Sequence, residues 1–337
     1  MEEVRIAVVG AGNVAQQAHL PAFKKIRAAK VVALVDRQKT KAKYVAERFG
    51  IPSVYHSLTD LLRNEEVDAI DICTPTDTHK DLALEALAAG CDVFIERPIA
   101  RTAQEAYQIV EAARKAGRIV MVGMRHRFRN DLLLLKTEVE QQQLGELQYL
   151  HGFWHTEPSS SSRWFAQKER SGGGVLTDLG IVLLDLFLWF VPATVRSLYC
   201  STRHLRLRKL EDFAVVVLEL ENNAVAEFTV SWSLPLAETA YQIELYGKKG
   251  IASLRPLRIL TTKDGHLAPL PLPARPRNQY ALYQQSYLNE LQHFINAVRA
   301  ILPPASTAEE ALERMQLLEA CYQSAESGQA VTPALSS

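Results

Sequence analysis

Six residues near the start of the chain, Gly10-Ala11-Gly12-Asn13-Val14-Ala15, carry the first chemistry. They follow the apolar run Val4–Val9 and open a stretch of helical periodicity. Glycines at such a strand–turn–helix junction let the backbone turn tightly and approach a pyrophosphate, whose charge meets the helix N-terminus. Ala15 replaces a third glycine and is still small enough for close helix packing. The glycine pattern alone is weak, because a parallel-sheet protein can carry such a turn and bind nothing. Asp36, closing the next apolar run, makes it specific. A carboxylate there accepts hydrogen bonds from an adenosine ribose and repels a 2′-phosphate, which favours NAD. Arg37, with Lys39 and Lys41 nearby, leaves NADP open, since an arginine can hold a 2′-phosphate.

Other reactive side chains are less specific. Arg125, His126, Arg127 and Arg129 form a basic cluster that suits an anionic substrate or, equally, solvated and interdomain charge. The run Arg203–Lys209 has no interleaved aromatics, so it suits an exposed strand or an oligomer contact better than nucleic acid. Tyr149 and His155 stand an even number of residues apart on an alternating stretch and so share one strand face. Cys73, Cys91, Cys200 and Cys321 are scattered without CxxC spacing, which points to a reducing cytoplasm and to no metal site. Lys+Arg and Asp+Glu both number 38, so no global field favours nucleic acid or membrane. No basic, apolar and cleavage regions precede Val4, and a secretory signal is not expected.

The elements that must position these residues follow two patterns. Val4–Val9, Lys30–Val35, Ala69–Cys73, Asp92–Ile95 and Ile119–Val122 are apolar runs separated by the helical stretches Ala15–Ile26, Lys39–Phe49, Asp77–Ala89 and Ala103–Ala116. That alternation predicts a parallel sheet covered on both faces. After about residue 123, strands are expected in succession at Glu146–Thr156, Thr194–Thr202, Phe213–Leu220, Val225–Ser233, Tyr241–Tyr246 and Ile251–Leu254. Asn222-Asn223 reads as a hairpin turn. The apolar stretch Leu179–Val191 contains Asp185 and is too short to span a bilayer, so a buried helix is expected. Ser159–Ser162 reads as a loop and Pro269–Pro276 as a surface connection, with two late helices near Tyr280–Ile301 and Thr307–Ser327. The fold class is therefore α/β: a Rossmann domain over 1–122, then an α+β domain on a largely antiparallel sheet over 123–337.

Taken with the segments DICTPTDTHKDLALEALAAGCDVFIERPIA, SGGGVLTDLGIVLLDL, EDFAVVVLEL and TAEEALERMQLLEACYQSAESGQAVTP, the chain resembles the Gfo/Idh/MocA family of oxidoreductases almost throughout. The resemblance implies that nicotinamide sits between the two domains, with Thr74, Pro75, His79 and Glu96 beside the cofactor. It also implies a small-molecule substrate and a dimer or tetramer through the open sheet. His79 reads equally as a scaffold residue, and Asp178 as a helix cap.

Two positions depart from the family pattern. Glu96 and Pro98 match, but Arg97 stands where typical members carry a lysine, and Val182 where they usually carry a histidine. Arginine stays protonated and cannot be a general base, yet it can stabilise an oxyanion or clamp a carboxylate. It also suits a salt bridge that orders a hinge. The expected catalytic residues are thus Arg97 and Asp178, in an NAD(P)-dependent reductase of a small polar or conjugated carbonyl-type substrate. The alternatives are a silent dinucleotide-binding sensor or assembly subunit, and an ordinary sugar or polyol dehydrogenase.

Overall fold

The computed structural model of the protein describes residues 3–157, 164–235, 237–272 and 279–334. The Ser159–Ser162 loop and residues 273–276 of the proline-rich connection lie outside the described residues. The chain divides into two compact units, Met1–Phe128 with Asn278–Leu312, and Arg129–Arg277 with Glu313–Ser337.

In the first unit, strands β1 (Val4–Val9), β2 (Ala29–Val35), β3 (Ser53–Tyr55), β4 (Ala69–Ile72), β5 (Asp92–Glu96) and β6 (Val120–Gly123) form one sheet in the order β3-β2-β1-β4-β5-β6. Every pairing in it is parallel. The continuous apolar runs have their expected cause: β4 is buried at all four positions, including Asp71. Strand order reverses between β1 and β4. At such a switch point the connections leave in opposite directions and open a crevice at the strands' carboxyl ends. The turns after β1, β2, β4 and β5 are therefore the ones placed to hold a ligand.

The expected division at 122/123 assigned the late helix Gln279–Val298 to the second domain. It packs instead in the first unit, where Leu291, Phe294 and Ile295 are buried with Phe23 and Phe94. The rings of Phe94 and Phe294 meet edge-on at 5.4 Å. Periodicity shows that a segment is a helix with an apolar face, but it does not say which sheet that face will cover.

The second unit holds strands β7 (Leu147–His155), β8 (Val195–Arg203), β9 (Phe213–Leu220), β10 (Val225–Ser231), β11 (Ala240–Gly247), β12 (Gly250–Leu254), β13 (Leu257–Lys263) and β14 (His266–Pro269). Their order is β14-β13-β12-β11-β7-β10-β9-β8, antiparallel except where β7 meets β10. The apolar helix Ile181–Phe190 is the core of this unit; of its residues only Trp189 is not buried. Phe187 meets Phe228 of β10 at 6.1 Å between ring centroids. Length and composition alone would let the Lys168–Phe190 segment cross a membrane, but 89% of its apolar window is buried within the protein. The short β3 and the weakly patterned β13, β14 and helix Asn130–Glu140 were not anticipated, because few residues in them carry a period.

Candidate active site

The first expected site residues lie at the carboxyl end of β1. Gly10 has φ +103°, and a Cβ there would stand 2.7 Å from the Cys73 carbonyl oxygen. Glycine is thus required twice, by conformation and by space. The helix begins at once: Gln16 N–H donates to the Gly12 carbonyl at 3.1 Å, leaving Asn13 and Val14 in its opening turn. Asp36 folds toward this turn. Its Oδ2 accepts from the Ala11 amide at 2.9 Å and from Lys41 Nζ at 3.3 Å, and its Oδ1 accepts from the Gln38 amide at 2.8 Å. A carboxylate offers about four lone-pair sites, so capacity remains for a ribose hydroxyl. Arg37 is exposed beside it. The close-packed glycine turn, the free helix start and this carboxylate fit an adenine dinucleotide.

Further along the sheet, His79 is buried and held at both ring nitrogens. Nδ1 lies 2.9 Å from the Pro98 carbonyl and Nε2 2.9 Å from the Thr74 carbonyl. Burial pushes its pKa down, while both carbonyls pull it up. His79 therefore ties the exit of β4 to the segment after β5, which is the scaffold role. Thr78 supports the same turn, donating to Thr74 Oγ1 at 2.7 Å. Pro75 completes the turn in extended conformation.

Arg97 follows directly on Glu96, and its backbone N–H donates to Glu96 Oε2 at 3.2 Å. The other carboxylate oxygen, Oε1, lies 2.9 Å from Nε2 of His19. His19 is fully buried, with Nδ1 2.9 Å from Asp71 Oδ2. Burial is the largest single influence and would lower the His19 pKa, but the charge and hydrogen bond of Asp71, together with the Cys73 contact, outweigh it and raise it well above the ordinary value. Burial likewise pushes Glu96 up, and the hydrogen bond and charge of His19 hold it below the usual range. Sequence reasoning missed this cluster. The available signal was Asp71, an acid inside an otherwise apolar parallel strand.

Donor atoms of His19, Asp71 and Cys73 lie within 4.8 Å of one another, a spacing that suits a metal. Hydrogen bonds account for these contacts, and burial with the Asp71 charge pushes the Cys73 thiol well above its ordinary pKa. A protonated thiol is a poor metal ligand.

In the second unit Asp178 is not a helix cap. It lies inside the opening turn, its amide donating to the Gly174 carbonyl at 3.1 Å. Its half-buried side chain accepts from Trp232 Nε1 at 3.3 Å. The capping work falls to Glu211, whose Oε1 accepts from the amides of Gly174 at 2.8 Å and Leu176 at 3.3 Å and from the Tyr322 hydroxyl at 2.8 Å. A Cβ on Gly174 would stand 2.1 Å from the Glu211 carbonyl oxygen, which explains a glycine there. Val182 is buried, and Asp185 is buried 3.4 Å from Arg314 Nε, so the helix Ile181–Phe190 supplies no exposed acid.

The basic cluster is structural. Arg127 meets both carboxylate oxygens of Glu310 at 3.0 Å, Arg129 pairs with Asp131, and Arg125 lies over the Tyr283 ring at 4.9 Å. The second basic run is not a strand: β8 ends at Arg203, and Asp212 accepts the amides of Leu205, Arg206 and Leu207. Tyr149 and His155 do share a face, bonded to Glu227 and Thr229 of β10.

Residues 4–124 match the family described as an oxidoreductase family with an NAD-binding Rossmann fold, and residues 136–332 match its C-terminal alpha/beta domain. The chain belongs to the Gfo/Idh/MocA oxidoreductases. Residues 4–124, within its first unit, are the family's NAD-binding fold. Among relatives, D-glucoside 3-dehydrogenase of Escherichia coli (strain K12) is 28% identical, with 96% of each chain covered. Myo-inositol 2-dehydrogenase of Thermotoga maritima is 26% identical over 91% of this chain and 92% of its own. An Agrobacterium radiobacter oxidoreductase, solved in complex with NAD+, L-tartaric acid and magnesium, shares the fold with a TM-score of 0.87 at 24% identity, covering 98% of both chains.

Proposed function

We propose that this oxidoreductase acts on carbohydrate-type substrates and works as a reductase of a carbonyl group, with Arg97 and Asp178 as its substrate-facing residues. Bound NAD supplies and accepts the hydride. Gly10, Gly12, Asn13 and Val14 would hold its pyrophosphate, Asp36 its ribose, and the Thr74–Pro75 turn and Glu96 its nicotinamide end. The dehydrogenase names of the relatives support the carbohydrate class.

One observation carries the reductive reading: Arg97 keeps its charge at any ordinary pH, and Val182 is a buried hydrocarbon. A fixed cation can stabilise the oxyanion that forms when a carbonyl is reduced. It cannot take the proton of a hydroxyl. Water handles that proton, while Asp178 accepts hydrogen bonds from the substrate. An enzyme lowers the same barrier in both directions, so the missing base shows in the pH profile. Oxidation should then follow the alkoxide fraction, rising about tenfold per pH unit between 6 and 9.

The test compares NADH oxidation by 3-keto and 2-keto derivatives of methyl glucoside and inositol with NAD+ reduction by the parent alcohols. Steady reduction with an unsaturated alkaline rise in oxidation is the expected result. A plateau near neutral pH with ready oxidation would establish the ordinary sugar dehydrogenase, which the relatives' names favour. NADH binding without any turnover would establish the silent dinucleotide-binding protein. Arg97→Lys combined with Val182→His should flatten the alkaline rise if only the acid/base set has changed. The four buried free cysteines fit a cytoplasmic setting. The half-exposed column Tyr149, His151, Phe153 and His155 on the open sheet supports assembly into a dimer or tetramer.

A further inference from the structure

His19 joins three elements of the first unit. It stands on the helix that leaves the Gly10 turn, reaches Asp71 on β4 with Nδ1, and reaches Glu96 at the end of β5 with Nε2. Both partners are carboxylates, which when ionised can only accept. A neutral ring has one N–H and would set a lone pair against one carboxylate oxygen 2.9 Å away. The imidazolium satisfies both. Around it stand Cys73 Sγ at 3.3 Å, the Phe94 ring at 5.6 Å and the Tyr287 ring at 5.3 Å. Arg125 over Tyr287 and the buried acid Glu290 complete the charged surroundings. Burial pushes the Glu290 carboxyl well above its ordinary pKa.

The far end of the chain of contacts is the Arg97 main chain. Glu96 Oε2 accepts the Arg97 N–H, and a Cβ on Gly123 would stand only 3.3 Å from that same oxygen. The carboxylate is thus held by His19 on one side, and the missing side chain of Gly123 leaves it room on the other. We propose that His19 is a positioning residue, setting Glu96 through its Nε2 so that the Arg97 backbone, and the guanidinium it carries, start from one fixed geometry. The proposal rests on reading Arg97 as substrate-facing.

Two substitutions separate positioning from simple core pairing. The amide nitrogen of glutamine reaches where His Nε2 does, so His19→Gln keeps a donor for Glu96 and loses Asp71. The amide of asparagine reaches only to Nδ1, so His19→Asn keeps Asp71 and loses Glu96. With NADH as the probe, both variants should bind within about threefold of wild type, because the Gly10–Asp36 end is untouched. His19→Gln should keep the emission of bound NADH and kcat on the 3-keto glucoside within about threefold. His19→Asn should lose about tenfold or more in kcat and shift the NADH emission, with thermal stability similar to that of His19→Gln. Equal behaviour of the two variants would overturn the proposal. So would ¹⁵N NMR showing an unprotonated ring nitrogen on wild-type His19 at pH 7. If Arg97→Ala binds NADH and turns over normally, the failure lies in the reading of Arg97. If Arg97→Ala is inactive while the Gln and Asn variants match, only the positioning role fails.

Discussion

The two units bury carboxylates in opposite ways. In the first, Asp71 and Glu96 face a side-chain cation, His19, and the whole cluster is closed by tertiary packing. In the second, Glu211 and Asp212 are satisfied mainly by backbone amides: Gly174 and Leu176 for one, Leu205, Arg206 and Leu207 for the other. The difference shows where each region can be disturbed. Amides carry no titrating proton, so the second arrangement fails only when its carboxylate is protonated. The first fails if either partner changes charge.

The largest effect should come from removing the cation. His19→Leu leaves two buried carboxylates unpaired and should cost about 3–5 kcal/mol in denaturant unfolding. Asp212→Ala strands amides at the surface of its loop and the Ser233 hydroxyl, and should cost about 2 kcal/mol. A reversed ranking would break the comparison.

The pH dependence sharpens it. Burial raises Asp212, but Ser233 and the loop amides outweigh it and hold the group below 3.8. Its contribution is therefore present above that value and lost as pH falls through the folded pKa. His19 is raised, so its contribution is complete below 6.5 and lost as pH rises through the folded pKa. Glu290, raised by burial, adds its own alkaline loss, beginning above 4.5. The stability gap between wild type and His19→Gln should thus close at alkaline pH, and the gap for Asp212→Asn at acid pH. Urea midpoints from pH 3 to 10 would check this, and parallel gaps would refute it.

The smallest effect concerns the cofactor. Asp36→Ser removes the group that repels a 2′-phosphate while Arg37 stays exposed beside it. The NADPH-to-NADH affinity ratio should rise about tenfold, about 1.4 kcal/mol. Fluorescence titration of both cofactors would show it, and an unchanged ratio would remove Asp36 from the ribose site.

Much of this was legible in the chain. Gly10, Gly12 and Asp36 lie within one strand–helix–strand unit, and their spacing reports a local geometry. His19, Asp71 and Glu96 do not: 52 and 77 residues separate His19 from its partners. Nothing in the pattern around AQQAH marks its histidine as a buried cation. Asp178 and Asp185 looked alike, each an acid near the start of one apolar helix. Only packing sorted them, placing Trp232 beside the first and Arg314 beside the second.

The sequence by itself determined the class of each sheet, the dinucleotide turn and the residue types, arginine and valine, at positions 97 and 182. These are properties of residue type and short-range period, which the backbone expresses wherever it lies. Tertiary structure decided that the helix Gln279–Val298 returns to the first unit, that Arg127 and Arg129 are already paired, and that Glu96 is held from behind. Each of those depends on which distant surfaces meet. Burial then sets the energy of a charge by its neighbours in space, and those neighbours are far away along the chain.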